Sequence, residues 1–215
     1  MPQQHDRFDN LRVFNHPLIQ RKLTRMRDRQ TPSETFRRLM NEIAGLMTFE
    51  ISRHLSTADL AIETPLESTV GTKLSKPVTL VPILRAGIGM TDGVLSLMPE
   101  ARVGHIGVYR DEQSLKPVQY YAKLPPDVAE GPVLVVDPML ATGGSASFVV
   151  DYVRQQGCAD VSLICLVAAP EGVQVMFDDH PEVVVYTAGL DRQLDERGYI
   201  LPGLGDAGDR LFGTH

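Results

Sequence analysis

Val133-Leu134-Val135-Val136 is apolar without alternation, and it opens directly into Asp137-Pro138-Met139-Leu140-Ala141-Thr142-Gly143-Gly144-Ser145. An unbroken apolar run of this kind reads as a central strand covered by helices on both faces. The residues after it carry chemistry. Glycines let the backbone approach an anion closely, Thr142 and Ser145 add hydroxyl donors, and a helix beginning near Gly144 aims unpaired N–H groups and its positive dipole end at the same place. The turn is built to hold phosphate. A carboxylate cannot itself favour phosphate, so Asp137 reads as an acceptor for sugar hydroxyls, placing a ribose beside the phosphate. The lysine of a GxxxxGK[ST] loop is missing, and so is the GxGxxG spacing of a dinucleotide fold. A purely structural helix entry accounts for Gly143 and Gly144 but not for Asp137, Thr142 and Ser145 clustered with them.

Around this turn the chain alternates strand and helix from Pro77 onward. Strands are expected at Val78 to Val81, Val103 to Tyr109, Val133 to Val136, Val161 to Val167 and Val183 to Tyr186. Helices are expected from Gly87 to Leu97, Gly144 to Gln156 and Glu171 to Asp179, the second closed by Gly157 and the third before Pro181. Such alternation implies an α/β fold with a mostly parallel sheet. Before it, Leu18, Ile19, Lys22, Leu23 and Met26 recur at helical spacing, and Thr31-Pro32-Ser33-Glu34 reads as a capping box. The stripe Phe36, Leu39, Met40, Ile43, Leu46, Met47 and Ile51 follows, to meet this core or a partner subunit.

The chain thus reads as one domain: an N-terminal helical region over 1–56, an α/β core over 77–190 and a glycine-rich tail over 191–215. Arg110 to Pro126 reads as an antiparallel hairpin projecting from the sheet. Its charged turn Asp111-Glu112-Gln113 is open to two readings, a solvated loop or a flap over the site.

The formal charge of −6 gives no excess positive potential for a polyanion, which argues against nucleic acid as the main partner. No apolar stretch reaches the about 18 residues a membrane span needs, and no leader is evident, so a cytoplasmic protein is expected. Cys158 and Cys165 have no metal-ligand spacing and read as structural. The histidines show no HxxxH arrangement, so metal ligation by protein side chains alone is not expected.

DPMLATGGS, as it stands at Asp137 to Ser145, resembles the signature of the uracil phosphoribosyltransferases, a branch of the type I phosphoribosyltransferases. The resemblance extends through Pro82-Ile83-Leu84-Arg85-Ala86-Gly87, Tyr109-Arg110, Ala168-Ala169-Pro170-Glu171-Gly172 and the tail from Gly198 to Asp209, and it runs from His16 almost to the terminus. It implies a type I phosphoribosyltransferase core with a projecting β-hairpin and a C-terminal base-binding loop. It also implies transfer of a phosphoribosyl group from phosphoribosyl diphosphate to uracil, releasing diphosphate and UMP.

The resemblance assigns the donor to Arg85, Arg110 and the whole turn Asp137, Pro138, Met139, Leu140, Ala141, Thr142, Gly143, Gly144 and Ser145, with Asp206 close by. The planar fork of arginine suits diphosphate oxygens. It places uracil against Ile200, Gly205, Asp206 and Ala207, where backbone N–H and C=O groups can match the acceptor, donor, acceptor order of the base edge. Arg85, Arg110, Asp137 and Asp206 are the expected catalytic set, and two roles fit Asp206: proton acceptor, or counter-charge to a cation-like ribose. Magnesium is expected to arrive on the donor, keeping several waters. Relatives carry a cis peptide in the loop of Arg85, form dimers or tetramers, and in some cases respond to GTP.

Two other functions share this fold: transfer to another base such as orotate or a purine, and non-catalytic RNA binding. Orotate calls for a cation near the tail, and none stands between Arg197 and Arg210. An RNA regulator calls for a basic face, which the charge balance disfavours.

Overall fold

Leu134 and Val136 pack into one apolar cluster, with Phe36, Met40 and Met90, while Val133 and Val135 pack into a second, with Val149, Val150 and Met176. A strand that buries alternate residues on opposite sides must lie inside a sheet with helices on both faces, and the fold is built around that requirement.

The computed structural model describes residues 2–110 and 117–214, without the side chain of Arg110. The chain opens with strands β1 (Gln3–Gln4) and β2 (Leu11–Val13), followed by helices α1 (Pro17–Arg27) and α2 (Ser33–Ile51). A hairpin of β3 (Thr57–Glu63) and β4 (Ser68–Leu74) leads into β5 (Thr79–Leu84) and α3 (Ile88–Leu95). Next come β6 (Arg102–Val103), β7 (His105–Arg110) and β8 (Pro117–Lys123). The alternating half comprises β9 (Val133–Val136), β10 (Met139–Leu140), α4 (Gly144–Gln155), β11 (Val161–Ala168), α5 (Pro170–Asp179) and β12 (Val184–Leu190). A two-stranded ribbon, β13 (Gln193–Leu194) with β14 (Ile200–Leu201), and the short helix α6 (Ala207–Phe212) form the tail.

The main sheet runs in the order β1-β2-β12-β11-β9-β5-β7-β8. The five pairings from β2 to β7 are parallel, and only its two ends, β1 on β2 and β8 on β7, are antiparallel. The type I phosphoribosyltransferase-like α/β core is therefore present. Its strands β5, β9 and β7 end on one side, which puts the Arg85 loop, the Asp137 turn and Arg110 along a single edge, where open α/β sheets hold ligands.

Several expectations need correction. The region 1–56 is not helical throughout, since β2 adds to the sheet beside β12 through Leu11↔Val185. Leu18 is 49% exposed, so α1 buries only Ile19, Leu23 and Met26 of the expected stripe. The capping box does not form. The Thr31 hydroxyl donates instead to the Arg25 carbonyl at 2.6 Å, and Pro32 stands at the N-cap without a side-chain bond. The hairpin of β3 and β4 is a further element that the strand-and-helix reading does not include; its Ala58, Leu60 and Ile62 alternate, yet nearly all of its residues are exposed. The expected hairpin at 110–126 is an edge of the main sheet itself, β7 with β8, and its turn at 111–116 lies outside the described residues.

Candidate functional site

The phosphate-type turn hangs between two strands and two helices. The Asp137 N–H still donates to Ile164 O at 3.1 Å, so the sheet register runs one residue past β9. Pro138 O then accepts from both Leu166 and Val167, and β10 pairs with β11, which swings the chain towards α4. Gly143 caps α4 with φ +83°, a left-handed conformation that favours glycine, and a Cβ there would lie 2.8 Å from Val175 Cβ and 2.9 Å from Gly172 O. Gly172 closes the floor from below: a Cβ on it would sit 2.4 Å from Ala141 O. At Gly144, by contrast, a Cβ would meet nothing within 4 Å. The cradle is tightly supported behind and open in front. The first helical bond of α4 runs from Ser147 N to Gly143 O, leaving the N–H groups of the first turn for a ligand. Thr142 is exposed and Ser145 half-buried, so neither residue is sealed from a ligand.

Asp137 lies at the inner end of the turn. Its carboxyl accepts a long bond from the Met139 N–H at 3.4 Å. Desolvation pushes it up to about 7; the Met139 bond opposes this, and the nearby Asp206 carboxylate adds to it. Asp206 belongs to the tail, which meets the Arg85 loop: a Cβ on Gly208 would lie 4.0 Å from both Ala86 Cβ and Arg85 Nη2.

A third loop comes from β5. The Leu84–Arg85 peptide is cis, as the resemblance implies. A Cβ on Gly87 would lie 2.5 Å from Val136 O, so only glycine lets this loop pack against the end of β9. The Arg85 side chain is 60% exposed, with Nη2 3.8 Å from Asp209 Oδ1 and the guanidinium 5.8 Å from the centre of the Phe212 ring. Arg110 ends β7, two strands from β9. Nothing further is described of its side chain.

The tail brings the remaining expected residues. Ile200 and Ala207 are buried, and Gly205 and Asp206 are exposed. Asp206 caps α6 by accepting from the Asp209 N–H at 2.9 Å. Among the described residues, the N–H groups of Gly205, Asp206 and Ala207 make no hydrogen bond. Glu171 anchors the ribbon to α5 through the Leu194 N–H at 3.0 Å. The sequence assigns no role to four residues at this site: Asp209, beside Arg85, and the supports Arg27, Asp191 and Arg210. The last three sit behind the tail and bind its backbone rather than facing the crevice. The structure thus brings Arg85, Asp137 to Ser145 and Gly205 to Ala207 to one crevice.

No group of three histidine, cysteine or acidic side chains among the described residues is placed to hold a metal. The Asp206 carboxylate in the neighbourhood of Asp137 nonetheless makes this end of the crevice favourable to positive charge, which suits an ion that arrives with its own oxygen ligands. Both cysteines are free and buried, and burial pushes the Cys165 thiol up to about 12. No described helix is long and apolar enough to cross a membrane.

A family model described as uracil phosphoribosyltransferase matches residues 13–214. The chain is 55% identical over 206 residues to a uracil phosphoribosyltransferase of Listeria monocytogenes, covering 95% of this chain and 99% of that protein. It is 57% identical over 203 residues to one from Streptococcus salivarius, covering 94% and 97%. Among solved structures, the AQ2163 protein from Aquifex aeolicus matches with a TM-score of 0.90 and 32% identity over 95% of this chain and 98% of that one. A hypoxanthine-guanine phosphoribosyltransferase from Bacillus anthracis, at 12% identity, TM-score 0.51 and coverage of 74% and 80%, shares the fold.

Proposed function

The chain belongs to the uracil phosphoribosyltransferase family, and on that premise we propose how its crevice converts uracil and phosphoribosyl diphosphate to UMP and diphosphate. The turn from Asp137 to Ser145 seats the 5-phosphate on the first turn of α4, and Asp137 accepts from the ribose hydroxyls. The observation that carries this reading is the open space in front of Gly144 beside a helix start with free N–H groups. Arg85 and Arg110 hold the diphosphate. The exposed Arg85 fork is free to turn from Asp209 to a phosphate.

The bond between C1 of the ribose and the diphosphate oxygen breaks, its electron pair leaving with diphosphate. The uracil N1 pair forms the new bond from the opposite face, and the N1 proton is lost. Charge development at C1 makes dipoles and charges the main source of rate, and the turn at the start of α4 is already formed before reaction. Asp206 contributes a carboxylate to this end of the crevice as proton acceptor or counter-charge, and full turnover in Asp206→Asn would exclude both. The backbone N–H groups at 205–207 face the base and select uracil: the cytosine amino group meets a donor, and its N3 has no hydrogen for a carbonyl. Magnesium, when bound with the donor near Asp137, neutralises charge on the leaving diphosphate.

Orotate is disfavoured because Arg210 spends its N–H groups on the carbonyls of Met26, Leu204 and Asp28. We further propose that the protein assembles with copies of itself. Support comes from the hairpin of β3 and β4, which leaves Leu60, Ile62, Leu66 and Val70 exposed on a two-stranded ribbon that has little stability alone. Free thiols at Cys158 and Cys165 accord with a cytoplasmic setting.

The test is an assay of diphosphate release with donor, magnesium and each base in turn. Release with uracil alone is expected; release with orotate or hypoxanthine at a similar rate would overturn the assignment of the base. Adding GTP to the same assay tests for an effector.

A further inference from the structure

The tail loop is held from behind by an ion pair whose acid is almost sealed from water and whose arginine is 24% exposed. Arg27, the last residue of α1, donates from Nη1 to Asp191 Oδ2 at 2.7 Å and from Nη2 to Oδ1 at 2.6 Å. The Asp191 side chain is 5% exposed, and it is the one acidic residue in the buried set among the described residues. The pair does not end on itself. Gly203 donates its N–H to Asp191 Oδ2 at 2.9 Å, and its carbonyl accepts from Arg27 Nη1 at 2.7 Å. Both polar groups of one backbone residue are therefore fixed by opposite charges, with Gly203 at φ +60°.

The next carbonyl, Leu204 O, accepts from Arg210 Nη1 at 2.7 Å. The direction of the chain is thus set immediately before Gly205, Asp206 and Ala207, whose N–H groups are free among the described residues. The sequence also clears room for the clamp: a Cβ at Gly189 would lie 3.0 Å from Arg27 Nη2. A buried ion pair is a weak source of stability, because desolvation offsets most of its attraction. Stability alone gives no reason for both partners to grip the same glycine.

We propose that Arg27 and Asp191 are positioning residues for the uracil subsite, acting through Gly203 to aim the backbone groups of 205–207 at the edge of the base. This rests on the reading of 205–207 as the base site given above. Backbone recognition cannot adjust as a side chain can, so a displacement of about 1 Å is enough to weaken it severely.

The test varies uracil and phosphoribosyl diphosphate separately in Arg27→Gln, Asp191→Asn and the double variant, with thermal melts as a control. The KM for uracil is expected to rise about tenfold or more in each single variant while the KM for the donor stays within about twofold. The double variant is expected to be no worse than the worse single one, since both act on one glycine. Equal movement of both KM values, multiplicative effects in the double variant, or an unchanged uracil KM in folded variants overturns the proposal.

Should the charge variants not fold, Gly189→Val keeps both charges but fills the seat of the guanidinium, and the same selective rise or its absence decides. The site reading is checked apart, by amide exchange in the wild type. Protection of 205–207 by UMP but not by ribose 5-phosphate upholds it; no protection by UMP overturns it and the proposal together. Protection with unchanged kinetics in the variants overturns the proposal alone.

Discussion

Arg85 and Asp209 stand 3.8 Å apart at the mouth of the crevice, both substantially exposed, so the arginine is steadied without being consumed. An exposed pair at this distance contributes little to folding. Arg85→Ala is accordingly expected to leave the melting temperature nearly unchanged while lowering kcat/KM for phosphoribosyl diphosphate by about 10²-fold or more. Steady-state kinetics beside a thermal melt checks both halves, and Arg85→Lys is expected to recover only part, because an ammonium lacks the fork.

Neighbouring glycines of the turn are expected to fail in different ways. Gly143→Ala forces a left-handed residue into Val175 and Gly172 O, and a loss of about 1–3 kcal/mol in folding stability is expected. Gly144→Ala adds its methyl group to open space at the anion seat. Denaturant melts should scarcely register it, while the KM for the donor rises.

The Asp137 carboxyl, raised to about 7, yields two effects of pH. An acid whose folded value lies above its unfolded one binds more protons when folded, so its contribution to stability falls as pH rises from about 4 and levels off above about 7. Asp137→Asn escapes that fall and is expected to gain on the order of 2 kcal/mol over the wild type at pH 8, after allowance for partial solvent access, and nothing at pH 3. Activity should be lost throughout. In the wild type, kcat/KM for the donor should drop as pH falls below about 7. Asp206→Asn removes a repulsion, and the midpoint of residual activity should move to lower pH.

Chelation separates substrate-borne metal from structural metal. With no protein-only cluster among the described residues, EDTA is expected to stop transfer and leave the melting curve in place. Magnesium should restore the rate without delay for refolding.

The sequence was most informative where one requirement dominated. Val133 to Val136 must bury both faces, and Gly143 and Thr142 must admit an anion, so strand, turn and helix start could be placed closely. The support behind the tail was harder to see. Arg27 and Asp191 are 164 positions apart, and their meeting depends on α1 packing over the end of β12. A partial signal existed: Asp191 stands three residues past the buried run Tyr186-Thr187-Ala188, and an acid at the end of a buried strand calls for a partner. The hairpin of β3 and β4 left no signal of that sort, and among the described residues it stays almost wholly exposed.

Gly172 touches no ligand in any reading above, yet Ala141 O rests where its side chain would begin. In a survey of every single substitution scored by growth on uracil, position 172 should behave as intolerantly as Asp137. The tolerance of the donor seat to substitution is thus written in α5 as well, some thirty positions downstream of the loop that Gly172 supports.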